Sequence, residues 1–205
     1  MRRGLRRRLC AAAVIAPVLV AAHALAAVAP PPPSAARLQG FFALDGAITK
    51  AVNVPGEHRG QLVRRVWAFI PQCGTGACAR VKLVRERASG VATVILRRRS
   101  PAFYAGNGTY YAPARCQGRR YLKGERVSYR VTVRVTAAVL LGTTIEAARV
   151  RAVYDNALRT GLTPCVSVPA DDAARYLGSL LAPAPAPPPA GSIRSERSTR
   201  LTTAS

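Results

Sequence analysis

The sequence predicts an all-β fold: a small antiparallel up-and-down barrel or β-sandwich of about eight short strands, stapled by disulfides. Residues 127–135 alternate valine or tyrosine with serine, threonine or arginine, and a helix cannot use a period of two. Turn signals recur every ~8–15 residues between positions 37 and 168. Four cysteines, which can staple such a fold, follow the first ~26 residues.

Both ends of the chain are predicted to lie outside this fold. A basic N-terminus, an apolar run over residues 9–20 and an Ala-Leu-Ala site at 24–26 are typical of a secretory signal peptide. The apolar run is shorter than the ~20 residues that a membrane span needs. The predicted segments are a signal peptide (1–26), a Pro-rich linker (27–36), an all-β domain (37–181) and a Pro-rich disordered tail (182–205). We therefore expect a secreted or periplasmic protein of the cell envelope.

The four cysteines of the exported chain allow three disulfide pairings. We favour Cys73–Cys78, because the loop between them is so short that any other partner competes with a very high local concentration. Cys116–Cys165 would then close about 50 residues and stabilise the fold by roughly 4 kcal/mol. Zinc binding by the four thiolates is the alternative, but the Cys73–Cys78 spacing is looser than that of a zinc knuckle.

The chain is strongly basic, with a formal net charge of +22, and this charge predicts attraction to polyanions. Six basic residues fall on the polar sides of their predicted strands: Arg80, Lys82, Arg130, Arg134, Arg149 and Arg151. On neighbouring strands they would form a guanidinium ladder for phosphate or carboxylate polymers. The expected partners are anionic cell-envelope polymers or lipid headgroups; export argues against specific nucleic-acid binding. The alternative is an ordinary solvated face.

The sequence gives little sign of catalysis, which needs convergent polar groups. Beyond the predicted signal peptide there is one histidine, His58, in a Gly/Pro-rich loop without a nucleophile nearby. The nine acidic residues form no metal-binding or glycosidase pair, and the glycine-rich 73–78 loop lacks the lysine of a phosphate-binding loop. We therefore predict a protein that is not an enzyme and that needs no cofactor or metal.

Two local patterns predict a turn and a helix. Asn107-Gly108 between aromatic residues is a strong signal for a tight hairpin whose central residues need positive φ. Asp171-Asp172 is expected to cap a short C-terminal helix over 173–181. A helix is also an alternative to a strand over 145–149, because Glu-Ala-Ala-Arg is favourable to helix.

The aromatic residues allow two interpretations. Trp67 shares a strand face with Phe69, while Val66 and Ile70 make the opposite face apolar too, which predicts burial of both faces there. Five tyrosines lie close together in sequence: Tyr104, Tyr110, Tyr111, Tyr121 and Tyr129. They either pack a hairpin and core, or line a cavity in the mouth of a barrel that holds a small apolar molecule.

One combination of residues resembles a known group of proteins. The run Trp67-x-Phe69-x-Pro71-x-Cys73-x4-Cys78, followed by Tyr104-x-Gly106, Cys116, an alternating Thr/Val strand and Cys165, resembles small exported β-domains of actinobacteria. Those domains occur alone behind a signal peptide or as ectodomains of membrane proteins, and they are largely uncharacterised. The resemblance covers roughly residues 40–168. It implies an all-β fold with two disulfides, and it implies neither an activity nor site residues.

Together these features predict a non-catalytic β-domain of the secreted or cell-envelope class. The expected function is a binding or structural module whose basic face meets anionic polymers. The alternative is a lipocalin-like carrier of a small apolar ligand.

Overall fold

The computed structural model describes residues 29–87, 90–162, 164–165 and 170–182, and these form a closed antiparallel barrel. Each strand is hydrogen-bonded to the next in sequence, and the last strand returns to the first. The strands are β1 (Gly40–Val52), β2 (Leu62–Pro71), β3 (Arg80–Arg87), β4 (Gly90–Ser100), β5 (Phe103–Cys116), β6 (Arg119–Leu141), β7 (Thr144–Gly161) and β8 (Asp171–Ala182). The prediction of an all-β fold of about eight antiparallel strands is confirmed, and of the two architectures left open it is the barrel and not the sandwich. The predicted signal peptide and almost all of the predicted tail lie outside the described residues.

The period of two in the sequence decides which side chains fill the barrel. On β6, Val127, Val131 and Val133 are completely buried, whereas Arg130 and Arg134 between them are exposed. A slip of one residue in the pairing of β6 would turn its valines to solvent and its arginines into the core, so burial specifies the register.

The chain before β1 covers one end of the barrel. Leu38 is fully buried and Ala36, which lies inside the predicted linker, is 1% exposed; both belong to the core. The backbone of Arg37 holds this segment against β7, because its N–H donates to Ile145 O at 2.8 Å and its carbonyl accepts from the Ala147 N–H at 2.9 Å. We call this the closed end and the opposite end the mouth.

Two disulfides staple the barrel, one at each end, and both favoured pairings are confirmed. Cys73 and Cys78, with Cα atoms 5.6 Å apart, bracket the β2–β3 loop at the closed end. Cys116 and Cys165, with Cα atoms 5.5 Å apart, join the end of β5 to the connection between β7 and β8 at the mouth. The alternative of one zinc site built from four thiolates is therefore wrong.

The predicted hairpin at Asn107-Gly108 is wrong, because both residues lie inside β5. Asn107 pairs with Arg130 and Gly108 with Tyr129 in the β5–β6 ladder. The turn between these strands lies at Gln117-Gly118, whose φ angles are 49° and 70°. Gly108 serves a different purpose: a Cβ at this position would overlap the ring of Tyr129, so glycine leaves room for that ring.

The predicted C-terminal helix is also wrong, since residues 171–182 form strand β8. Ala174 and Tyr176 point into the barrel and are buried, while Leu177 is 65% exposed, which is the alternation of a strand. The helical alternative for 145–149 likewise gives way to strand β7. In both places pairing with neighbouring strands outweighs a weak local helix preference.

The expected burial of both faces of β2 is wrong. Trp67 and Phe69 fill the barrel, but Val66 and Ile70 are 52% and 44% exposed. A barrel is a single layer, so the outer face of a strand meets solvent unless another element covers it.

Candidate functional site: the barrel mouth

The mouth contains a cavity of about 490 Å³. This volume lies within the ~300–1,000 Å³ typical of small-molecule sites. Its wall includes Trp67, Arg85, Tyr154, Arg159, Asp172 and Tyr176. We call it the mouth cavity; it combines aromatic faces with charged groups, so it is not purely apolar.

Arg85 enters this cavity because of its position in strand β3. It follows Val81 and Leu83 in steps of two, and those residues are fully buried inside the barrel. Arg85 is itself only 6% exposed. Strand β3 therefore places a guanidinium inside the barrel, at the boundary between the apolar core and the mouth cavity.

Three aromatic rings surround the Arg85 guanidinium. Its Cζ lies 4.3 Å from the ring centre of Tyr129, 4.9 Å from that of Tyr154 and 5.7 Å from that of Trp67. Trp67 is also the direct cross-strand partner of Arg85 in the β2–β3 ladder. Cation–π contacts of this kind stabilise by about 0.5–2 kcal/mol each, so the rings stabilise a charged group in the interior.

One edge of this guanidinium is unpaired. Within the described residues, Nε and Nη2 of Arg85 have no hydrogen-bond partner, and neither atom is open to solvent. No ion pair to Arg85 is found in that part of the chain either. Nε–H and Nη2–H project from the same edge of the planar group, which is the edge that binds two oxygens at once. The site therefore holds an uncompensated buried charge with a free donor edge.

The second buried arginine of the cavity, Arg159, has carboxylate partners at both of its terminal nitrogens, although its Nε has no hydrogen-bond partner among the described residues. Arg159 Nη2 donates to Asp172 Oδ1 at 2.7 Å, and Nη1 lies 3.5 Å from Glu125 Oε2. Asn156 Nδ2 donates to the same Asp172 oxygen. Burial lowers the pKa of Arg159, but the hydrogen bond and charge of Asp172, with Tyr110 and Glu125, raise it overall. Arg159 and Asp172 thus form a neutral pair, in contrast to Arg85.

Burial raises the pKa of two tyrosines in the cavity wall, Tyr154 and Tyr176. Burial, together with Tyr110 and Asp172, raises the pKa of the Tyr154 hydroxyl far above its ordinary value. Tyr154 Oη lies 3.3 Å from Tyr110 Oη, and the Tyr129 ring packs 5.6 Å from that of Tyr154. The raised pKa keeps the Tyr154 hydroxyl beside Arg85 protonated, so this group does not compensate the charge of Arg85.

The predicted basic residues lie outside the barrel in two separate groups. Arg80 and Lys82 are on β3, whereas Arg130, Arg134, Arg149 and Arg151 are on β6 and β7, with β4 and β5 between the groups. Arg134 and Arg151 are directly opposite each other across the β6–β7 pair. Arg130 is opposite Asp155 instead, so a continuous ladder of six is not formed.

The other predicted residues divide between the core, the cavity and the surface. Tyr104 and Tyr129 are buried, Tyr110 lines the mouth cavity and Tyr111 is 47% exposed. His58 lies exposed in the β1–β2 loop, where its backbone N–H donates to Gln61 Oε1 at 3.1 Å.

Sequence reasoning missed Arg85, Arg159, Asp172, Tyr154 and Tyr176. A signal existed for Arg85, since it occupies the same parity as Val81 and Leu83 in a strand whose alternation was evident. An arginine at an inward position places a charged group in the core. Because charged residues are seldom buried, such a position indicates a special role for the side chain. For the others the strand pairing had to be known first.

In comparisons with known proteins, no family model, no curated protein sequence and no solved structure matched this chain. The resemblance to exported actinobacterial β-domains therefore stays a prediction. In the part of the chain that the structure describes, no helix is long and apolar enough to cross a bilayer.

Proposed function

We propose that this protein is a non-catalytic carrier that holds a small molecule in the mouth cavity. The observation that supports this best is the cavity itself: a space of about 490 Å³ at one end of a barrel whose other end is packed. Closed barrels of eight strands are just wide enough to hold one small ligand beside their own side chains.

The chemistry of the cavity favours binding over catalysis. Its arginines and tyrosines are groups that orient a ligand and donate hydrogen bonds to it. His58, the only histidine among the described residues, is exposed in its loop. We also propose export, which the two disulfides support because such bonds persist in oxidising compartments.

A neutral fluorescent probe tests the carrier function. Trp67 is the single tryptophan of the chain and lines the cavity, so a bound probe should accept energy from it. We expect N-phenyl-1-naphthylamine to bind with saturable transfer from Trp67. Ala174→Leu, which adds bulk at a buried lining position, should weaken binding about tenfold, as its extra volume opposes the probe.

The control is Ala43→Leu, the same change on the outer side of β1. It should leave the affinity for the probe unchanged, with both variants checked for folding by circular dichroism. Equal binding by Ala174→Leu and Ala43→Leu would contradict the proposal, as would a probe that never receives energy from Trp67.

A second role on the outer surface is supported by the direct pairing of Arg134 with Arg151. Like charges opposite each other on paired strands destabilise the sheet, so an anion between them relieves the repulsion. The same ladder brings Phe103 under Arg134, whose guanidinium lies 5.0 Å from that ring centre. This surface suits an anionic polymer of the cell envelope or lipid headgroups.

Salt dependence tests this second role. We expect retention on a polyphosphate matrix to fall steeply with salt, and Arg134→Ala to reduce the slope of log affinity against log salt by about 1. Arg64→Ala is the control, because Arg64 already pairs with Asp45 at 3.0 Å and should change the slope less. Identical slopes for both variants would argue against a specific surface.

A further inference from the structure

We propose that Arg85 anchors a carboxylate, so that the ligand of the mouth cavity is a small monocarboxylic acid with an aliphatic or aromatic body. This inference rests on the proposed carrier function and adds the chemical class of the ligand. It is carried by one juxtaposition: a buried, unmatched guanidinium edge in the wall of a cavity that is large enough for a small molecule.

The free edge of Arg85 specifies the shape of the anion. Nε–H and Nη2–H are parallel donors, and a carboxylate offers two oxygens at the matching separation, which gives the bidentate pair that arginine forms best. A buried charge without a partner costs several kcal/mol, and no described residue compensates this one. A ligand carboxylate would remove that cost when it binds.

The charge balance of the cavity specifies a single negative charge. Arg159 is already paired with Asp172 and Glu125, so it adds no free positive charge. The carboxylates of Glu57 and Glu86 also line the cavity, and a second negative charge on the ligand would face them without a cation of its own. Arg65 also lines the cavity but is exposed, where water screens its charge. A doubly charged head such as a phosphate monoester would bury a second charge that lacks a partner.

The walls specify an apolar body behind this head. The rings of Trp67 and Tyr176 lie 5.4 Å apart on one side of the cavity, and Ile48 and Ala174 add aliphatic surface. The edge of Arg85 is shielded from solvent, so binding requires the guanidinium to turn toward the cavity it lines. Arg85 contacts the ring faces of Tyr129 and Tyr154. Such cation–π contacts are less directional than hydrogen bonds, so the guanidinium can rotate without losing them entirely.

A matched ligand series tests this assignment. Binding of dodecanoate, dodecanol and dodecyl phosphate is measured by Trp67 fluorescence and calorimetry, below the concentrations at which they aggregate. We expect dodecanoate to bind about 10- to 100-fold more tightly than dodecanol, the ratio that a charged hydrogen-bonded pair supplies. Dodecyl phosphate should bind at least about tenfold more weakly than dodecanoate, because its second charge stays unmatched.

Two substitutions connect the preference to Arg85. Arg85→Met keeps an unbranched apolar stem but removes the guanidinium, and should abolish the preference for dodecanoate while N-phenyl-1-naphthylamine still binds. Arg85→Lys keeps the charge but loses the parallel donors, and should retain only part of the preference. Arg64→Met is the control on the outer face of β2, outside the cavity, and should leave the preference intact. Circular dichroism and the unfolding midpoint show whether each variant is folded.

The outcomes separate this inference from the carrier function. If the neutral probe binds but dodecanol competes as well as dodecanoate, or Arg85→Met keeps the preference, the carboxylate assignment is overturned and the carrier function stands. Dodecyl phosphate binding as tightly as dodecanoate would likewise overturn the carboxylate class. If neither the neutral probe nor any member of the series binds, the carrier function fails and this inference fails with it.

Discussion

Replacing Cys116 and Cys165 together by alanine is expected to lower the free energy of unfolding by about 4 kcal/mol. The bond links residues that are 49 apart in sequence, so it removes far more freedom from the unfolded chain than a local link can. It also ties the end of β5 to the β7–β8 connection beside the mouth. The loss should appear as a lower midpoint in urea with a similar slope.

The matched control is the double substitution of Cys73 and Cys78, which are only 5 apart in sequence. The same chain-entropy argument gives about 2 kcal/mol for this pair. Arg37 adds a local contact there, because its Nη2 donates to Cys73 O at 2.7 Å. A larger loss from the short loop than from the long one would show that native contacts, and not unfolded-chain entropy, dominate.

The parts of the fold that follow from alternation were predictable from sequence. Residues 127–135 of β6 have valine or tyrosine at every second position, and only one of the two possible faces can be the core. The disulfide pairing followed from loop length in the same direct way. These features are local or nearly local, so the sequence around them is enough to specify them.

The failures share a different physical cause. Asn107-Gly108 has the composition of a tight turn, but Gly108 is used for the close approach of the Tyr129 ring from the neighbouring strand. Only the pairing of β5 with β6 distinguishes these two uses of glycine. Residues 173–181 favour helix weakly on their own and become strand because β1 and β7 flank them on both sides.

The candidate site was even less accessible from sequence, because its members come from different strands. Trp67 and Arg85 meet through the β2–β3 register, whereas Tyr129 and Tyr154 are supplied by β6 and β7. The alternation of β3 led to a prediction for its polar, outward residues, Arg80 and Lys82. The inward arginine of the same strand carries the more specific chemistry.

The neutral pair of Asp172 and Arg159 leads to the second large effect. Asp172 is 7% exposed and accepts from both Arg159 and Asn156, which is fully buried. Removing Asp172 leaves the buried Arg159 with only the more distant carboxylate of Glu125, and leaves the buried Asn156 amide without its acceptor. The free energy of unfolding then falls by the penalty of a poorly compensated interior charge. This penalty is larger than the net stabilisation that the intact pair contributes.

We therefore expect Asp172→Ala to lower the free energy of unfolding by about 3 kcal/mol in urea titrations. The adjacent Asp171→Ala is the control and should cost much less, because Asp171 pairs with Lys50, whose side chain is 53% exposed and screened by water. Adding Arg159→Met to Asp172→Ala should restore part of the loss, since the stranded cation is then gone. Costs that simply add in the double variant would mean that the side chains of Asp172 and Arg159 are not energetically coupled.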